Sequence, residues 1–221
     1  MSGHSGPNGV FITLEGGEGA GKSTQARLLQ SWLGDMGIEV VLTREPGGSP
    51  NAECLRDLLL SGRVAPFGSD AEALVFAVAR ADHVIHTIRP ALERGCWVIC
   101  DRFIDSTRAY QGSAGVAAQR IAELETIAAG ETMPALTLIL DLPVEDGLAR
   151  AGGRNMSLDR FEADAVAIHQ ARRDVFLKTA VDEPQRCVLI DASADEAAVF
   201  DQIKSAVRER LDSFLPAGDR N

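Results

Sequence analysis

The stretch "GGEGAGKST", Gly16 to Thr24, limits what this chain can fold into more than any other. Gly16, four residues, then Gly21-Lys22-Ser23 complete a Walker A pattern between the apolar run "VFITLE" and the segment "KSTQARLLQSWLGDMG". Strand, turn and helix in that order are the context in which the motif acts. Its small residues, Gly16, Gly17, Gly19, Ala20 and Gly21, let backbone N–H groups converge on phosphate oxygens, and the helix that follows adds the positive end of its dipole. Lys22 is placed to reach the β- and γ-phosphates and Ser23 to ligate Mg²⁺, and Thr24 joins the loop residues expected to bind ATP. Binding of a nucleoside triphosphate follows. The choice among kinase, switch, motor and transporter does not. Glu18 stands apart, because it places a carboxylate inside a loop built to hold anions.

The strand–helix alternation continues along the chain. "IEVVLTRE", "CWVICDR", "ALTLILDLP" and "RCVLIDAS" read as four more strands, and "AECLRDLLLSG" as a short helix. "SDAEALVFAVARADHVIHTIRPALERG" reads as a long helix that Pro90 kinks or interrupts. "EDGLAR" opens another helix, "LDRFEADAVAIHQARRDVFLKTA" a long one, and a terminal helix runs from about Asp195 to Phe214. Continuously apolar strands separated by helices predict an α/β three-layer sandwich, a five-stranded parallel sheet covered on both faces. Ligands of such sheets bind at the carboxyl ends of the strands. Those ends here carry "GGEGAGKS", "TREPGG", "DRF" and "DLP". Residues 9–215 form one domain on this reading, with residues 1–8 and 216–221 as tails.

Composition narrows the partners. A formal net charge of −10 over 221 residues repels nucleic acid polymers, while a few arginines still make a local pocket for a small phosphorylated ligand. No apolar run approaches the roughly 18 residues that cross a membrane. The start "MSGHSGPNG" lacks the basic and apolar regions of a signal peptide, so a cytoplasmic location is expected. Cys54, Cys96, Cys100 and Cys187 form no CxxC pair and read as buried free thiols.

Along the polar edge, each motif has a bland and a functional reading. Arg44 in "TREPGG" is either a surface arginine before a turn or a fork for a phosphate. Phe76 and Arg80 share a helix face, where Phe76 either packs in the core or stacks a base beside the guanidinium. Asp101, at the end of an apolar strand opposite the P-loop, reads as an acid that organises Mg²⁺, directly or through water, and the adjacent Arg102 as a phosphate ligand. Tyr110 and Gln111 offer an aromatic face and an amide to a base. "ARAGGRNMSLDRFE", with Arg150, Arg154 and Arg160, is either an ordinary basic loop or a lid that closes over transferring phosphates, spanning about residues 150–158.

Taken together, "FITLEGGEGAGKST", "TREPGG", "LVFAVARADHV", "PALERGCWVICDRF", "STRAYQG", "LDRFE" and "IDAS" resemble the thymidylate kinase family, in motifs spread over most of the chain, with residues before Gly9 and after Leu215 outside the resemblance. The resemblance implies transfer of the γ-phosphoryl of ATP to thymidine 5′-monophosphate (dTMP), with Mg²⁺, in a homodimer with a mobile lid. It implies that Phe76 stacks on thymine, that Arg80 contacts and helps select the base, and that Arg44 and Arg102 hold the acceptor phosphate. Ser106, Tyr110 and Gln111 would line the sugar and base pocket, Tyr110 disfavouring a 2′-hydroxyl. Arg150 would lie on the adenine side of ATP, beside the turn after Asp191. Family members place the catalytic arginine either in the P-loop or in the lid. Glu18 in the P-loop and Arg154 in the lid segment resemble the bacterial, lid-arginine style, with Glu18 facing the acceptor 3′-hydroxyl. Phe103 stands where the family often has tyrosine. Another nucleoside monophosphate kinase, a P-loop regulatory ATPase and a catalytically silent binding module are the competing readings.

Overall fold

The computed structural model describes residues 9–152 and 166–216. The strands β1 (Phe11–Gly16), β2 (Val40–Arg44), β3 (Trp97–Asp101), β4 (Leu136–Asp141) and β5 (Cys187–Asp191) form one parallel sheet in the order β2-β3-β1-β4-β5. These are the five expected strands. Their register ends them level: Arg44 pairs with Asp101, Gly16 with Leu140 and Asp141 with Asp191. Charged strand ends and the P-loop therefore meet at one edge, where the strand order reverses around β1.

The two-residue period of a strand divides the core. Ile12, Leu14, Leu136, Leu138 and Leu140 face α1 (Lys22–Asp35) and α9 (Glu196–Leu211), which contribute Leu29, Leu33, Ile203 and Val207. Asp195 caps α9 by accepting from the N–H of Ala198 at 2.9 Å. The helix ends at Leu211, earlier than expected, and one 3₁₀ turn, Asp212–Phe214, follows it. On the opposite face Phe11, Val98 and Cys100 pack against Val84, Ile88 and Phe103. Ile139 meets Tyr110 and Phe176 there. Each fully buried aliphatic side chain of this kind stabilises the fold by roughly 1.5–3 kcal/mol.

The expected long helix is divided. α3 (Ser69–His83) passes through one π turn, Val84–Ile88, into α4 (Arg89–Glu93). Pro90 has no N–H for the carbonyl of His86, and its ring would crowd that carbonyl. The wider turn lies immediately upstream and lets the helix go on. Besides α2 (Pro50–Leu60), α7 (Val144–Gly152) and α8 (Val166–Asp182), two helices were not anticipated: α5 (Ile104–Ser113) and α6 (Ala118–Ala128). α5 buries Asp105, Thr107 and Gln111, so its inner face carries little apolar periodicity. A buried bidentate pair anchors it, Arg186 to Asp105 at 2.8 and 2.9 Å, and Arg186 also donates to Thr137 Oγ1 at 2.7 Å. The expectation of buried thiols holds for Cys96, Cys100 and Cys187 but not for Cys54, which lies on the outer side of α2 and is exposed. The tails at residues 1–8 and 217–221, and the lid segment from residue 153 with Arg154 and Arg160, lie outside the described residues.

Candidate active site

The P-loop geometry follows from its small residues. Gly21 precedes α1 with φ 87°, a left-handed conformation that favours glycine, and no side chain caps the helix. The first-turn N–H groups therefore remain available to an anion. A Cβ on Gly19 would stand 2.0 Å from the carbonyl oxygen of Gly147, so the loop rests directly on the backbone of α7. Lys22 is buried, and its Nζ donates to the carbonyls of Gly16 and Gly17 at 3.1 and 2.7 Å. Burial, reinforced by the nearby Arg102 guanidinium, pushes its pKa down to about 8, against the pull of Glu18, Asp101 and Glu15. The Ser23 hydroxyl donates to Asp101 Oδ2, which joins the start of α1 to the end of β3.

Beside this loop opens a cleft of about 460 Å³, a size that suits a small ligand. Glu18, Gly19, Gly21, Lys22, Ser23 and Thr24 form its P-loop wall. Arg44 and Phe76 line another side, with Arg80 and Asp101. Arg102, Ser106, Tyr110 and Gln111 line it as well, and so do Glu45, Phe103 and Thr107. Phe76 is half-buried at the cleft wall, and Arg80 on the same helix face is buried. Gly16, Gly17 and Ala20 shape the loop from behind and do not line the cleft. Arg150 also lies off its wall. Its guanidinium donates to the carbonyls of Ala192 and Ser193 at 3.0 and 3.4 Å, in the turn after Asp191.

Arg102 is the hub. Among the described residues it alone combines a side chain with positive φ, at 71°. An arginine in that region is strained, and such strain collects at functional sites. Its guanidinium donates to Gly16 O at 3.3 Å, Ser106 Oγ at 3.2 Å and Glu18 Oε1 at 2.9 Å. Burial disfavours the charge, but Tyr110, Glu18 and Asp101 hold the guanidinium above the ordinary arginine range. The Tyr110 hydroxyl also donates to Glu18 Oε1. Burial raises the Glu18 carboxyl, yet Arg102, Lys22 and Tyr110 outweigh it and hold its pKa at about 2. Glu18 is thus ionised, and its charge is balanced by side chains rather than by the phosphate loop. Arg102 and Arg172 approach the Tyr110 ring at 5.0 and 4.2 Å, which holds the ring in place.

Three residues of this arrangement escaped the sequence reading. Glu15, fully buried, accepts from the Phe103 N–H at 2.7 Å and from the Ser106 N–H and hydroxyl at 3.3 and 2.6 Å. It supplies from β1 the cap that α5 lacks on its own. Burial and the neighbouring Asp105 push its pKa up to about 7, against the pull of Ser106, Arg102 and Phe103. A carboxylate inside an apolar strand was the available signal. Arg172 lies one turn before Phe176 on the buried face of α8, an arginine where an apolar residue is expected. Glu45 pairs with Arg80 Nε at 2.8 Å in the wall of the cleft.

A family model described as thymidylate kinase matches residues 14–203. Curated thymidylate kinases are similar over nearly their whole length. That of Bradyrhizobium sp. (strain ORS 278) is 55% identical over 212 residues, 95% of this chain and 94% of the relative. That of Afipia carboxidovorans is 53% identical over 215 residues, 96% and 94%. Among solved structures, a thymidylate kinase from Ehrlichia chaffeensis is 32% identical, with a TM-score of 0.75, covering 91% of this chain and all of that one, 100%. A P-loop, a strained arginine after β3 and an arginine–aromatic helix face around one cleft agree with those matches, and the chain belongs to the thymidylate kinase family.

Proposed function

We propose that this chain transfers the γ-phosphoryl of ATP to dTMP, giving the diphosphate and ADP for dTTP synthesis. The observation that carries the reading is the single cleft, in which the phosphate-binding wall of Lys22 and Ser23 opens directly onto Arg44, Phe76, Arg80, Arg102, Tyr110 and Gln111. A triphosphate on the P-loop and a monophosphate on the arginine side would face each other there, and phosphoryl transfer asks chiefly for such positioning and for balanced charge.

In this reading Lys22 leaves the Gly16 and Gly17 carbonyls for the β- and γ-phosphates. Arg102 and Arg44 hold the acceptor phosphate. Among the described residues the Arg44 side chain is tied only to Glu53, at 3.0 Å in an exposed pair, so freeing it costs at most about 1 kcal/mol. Phe76 stacks on the base. A guanidinium only donates, so Arg80 suits the 4-carbonyl of thymine and not the 4-amino group of cytosine. Gln111 and Ser106 border the nucleoside. Tyr110, fixed between two guanidinium groups, leaves no room for a 2′-hydroxyl, and Glu18 accepts from the 3′-hydroxyl. Arg150 and the turn at 192–193 flank the adenine. Arg154 supplies charge to the moving phosphoryl from the lid, and closure excludes water that would waste ATP.

For Mg²⁺ the donor set fits: Ser23 and Asp101 offer adjacent hard oxygens next to Lys22. Bound there, the ion would neutralise charge on the β- and γ-phosphates. A homodimer in the cytoplasm completes the proposal. The first part is supported by Leu74, Val78 and Ile85, exposed apolar residues in helical succession along α3 and its π turn. Among the described residues no helix is long and apolar enough to cross a membrane.

A coupled assay of ADP release with dTMP, AMP, GMP and CMP tests the activity. Turnover much faster with dTMP is expected. Preference for a purine monophosphate, or ATP hydrolysis independent of any acceptor, would overturn the assignment.

A further inference from the structure

We propose that Glu45 is a positioning residue for base selection: largely buried in the cleft wall, it fixes the guanidinium through which Arg80 reads the acceptor. The inference rests on the acceptor reading above. Glu45 is held first by its backbone, whose N–H donates to the Asp101 carbonyl at 3.0 Å, just past the last β2–β3 pair. Its two carboxylate oxygens are then divided. Oε2 accepts from Arg80 Nε at 2.8 Å, and Oε1 accepts from His83 Nδ1 at 3.0 Å. An ionised carboxylate only accepts, so His83 Nδ1 carries a proton. His83 Nε2 lies 2.7 Å from Thr43 Oγ1, which locks the imidazole. Glu45, Arg80 and His83 are all buried, so none of these contacts is loosened by solvent.

The rest of the Arg80 head is equally occupied. Nη2 donates to the Phe103 carbonyl at 2.9 Å and to Thr107 Oγ1 at 3.0 Å, and the guanidinium lies 5.1 Å from the centre of the Phe103 ring. Nη1 has no partner among the described residues, and Arg80 lines the cleft. A planar fork with two nitrogens committed presents its third in one direction. Among the described residues Glu45 supplies the only counter-charge in that cradle, since the Phe103 and Thr107 oxygens are neutral. Without it the fork can tilt, and a tilted donor reads a carbonyl poorly. A carboxylate that serves merely to tie the loop after β2 to α3 would weaken every acceptor alike.

The test compares kcat/KM for dTMP and dCMP, together with the KM for ATP, in the wild type, Glu45→Gln and Glu45→Asp. Glu45→Gln keeps the size but removes the charge. Glu45→Asp keeps the charge but withdraws it by one methylene, and remains informative where the amide does not fold. The dTMP to dCMP ratio is expected to fall about tenfold in Glu45→Gln, mainly through the KM for dTMP. It should fall less in Glu45→Asp, and the KM for ATP should stay within about twofold. Equal losses for both acceptors and for ATP overturn the inference, as does an unchanged ratio in both variants. A wild type without preference for dTMP overturns the acceptor reading, and this inference with it.

Discussion

Arg102 Nη2 lies 2.9 Å from Glu18 Oε1, an ion pair that ties the loop after β3 to the P-loop across the floor of the cleft. One residue belongs to the wall expected to hold the donor and the other to the wall expected to hold the acceptor. Their pairing, with the Tyr110 hydroxyl on the same oxygen, explains why a phosphate loop can carry a carboxylate. The charge is spent on Arg102 and Tyr110, and the backbone N–H groups of the loop remain for the phosphates.

Glu18→Gln removes that charge and keeps the shape. The KM for dTMP is expected to rise about tenfold while the KM for ATP moves within about twofold, measured by steady-state kinetics. Loss confined to ATP would mean that Glu18 faces the donor. The sign of its contribution to stability is also set. Its folded pKa of about 2 lies below the ordinary 4.5, so it stabilises the fold above pH 4.5 and loses that effect as pH falls toward 2. Urea unfolding of Glu18→Gln should therefore show a shallower loss of stability across that acid window than the wild type.

Lys22 makes a different pH prediction. Burial leaves its pKa at about 8, and adjacent phosphates would raise it. Binding of a non-hydrolysable ATP analogue should then draw in about half a proton near pH 8, shrinking toward pH 7. Calorimetry in two buffers of different ionisation enthalpy reads the uptake directly. No uptake near pH 8 would remove Lys22 from the phosphate site.

Arg154 stands in the Gly-rich segment "ARAGGRNMS". An arginine supplied to a transferring phosphoryl is worth roughly 10³ to 10⁵ in rate. Arg154→Ala should lower kcat by about 10² or more with a smaller change in nucleotide affinity. Near-normal turnover would assign the catalytic charge elsewhere, and Arg150 is then the residue to replace.

What could be read in the sequence divides along a physical line. The five strands were legible because each is a continuous apolar run bounded by turn residues, and the P-loop because its residues act together within nine positions. Phe76 was ambiguous between core and cleft, since helical spacing gives a face but not its neighbour. The structure puts it on the cleft wall. α5 was hidden because its buried face is polar, Asp105 being neutralised by Arg186 from the far end of the chain. Glu15 and Glu45 were hidden for the same reason. Their partners lie 88 and 35 residues away, in Phe103 and Arg80, and no local pattern records such a pairing.

Leu74, Val78 and Ile85 are 52%, 59% and 53% exposed, and Phe67 and Ile127 are 77% and 76% exposed. Apolar side chains aligned along one helix are costly to leave in water, and such a face marks an interaction surface. The opposite side of α3 carries Phe76 and Arg80 to the cleft, so a second copy seated on the outer face would brace the helix that reads the acceptor. Light scattering at micromolar concentration should give the mass of two chains for the wild type and of one for Val78→Asp. The variant should also show a KM for dTMP raised several-fold while that for ATP is held, because only the acceptor wall rests on α3. A wild type that elutes as a single chain would sink the dimer. A monomeric variant with unchanged kinetics would separate assembly from acceptor binding.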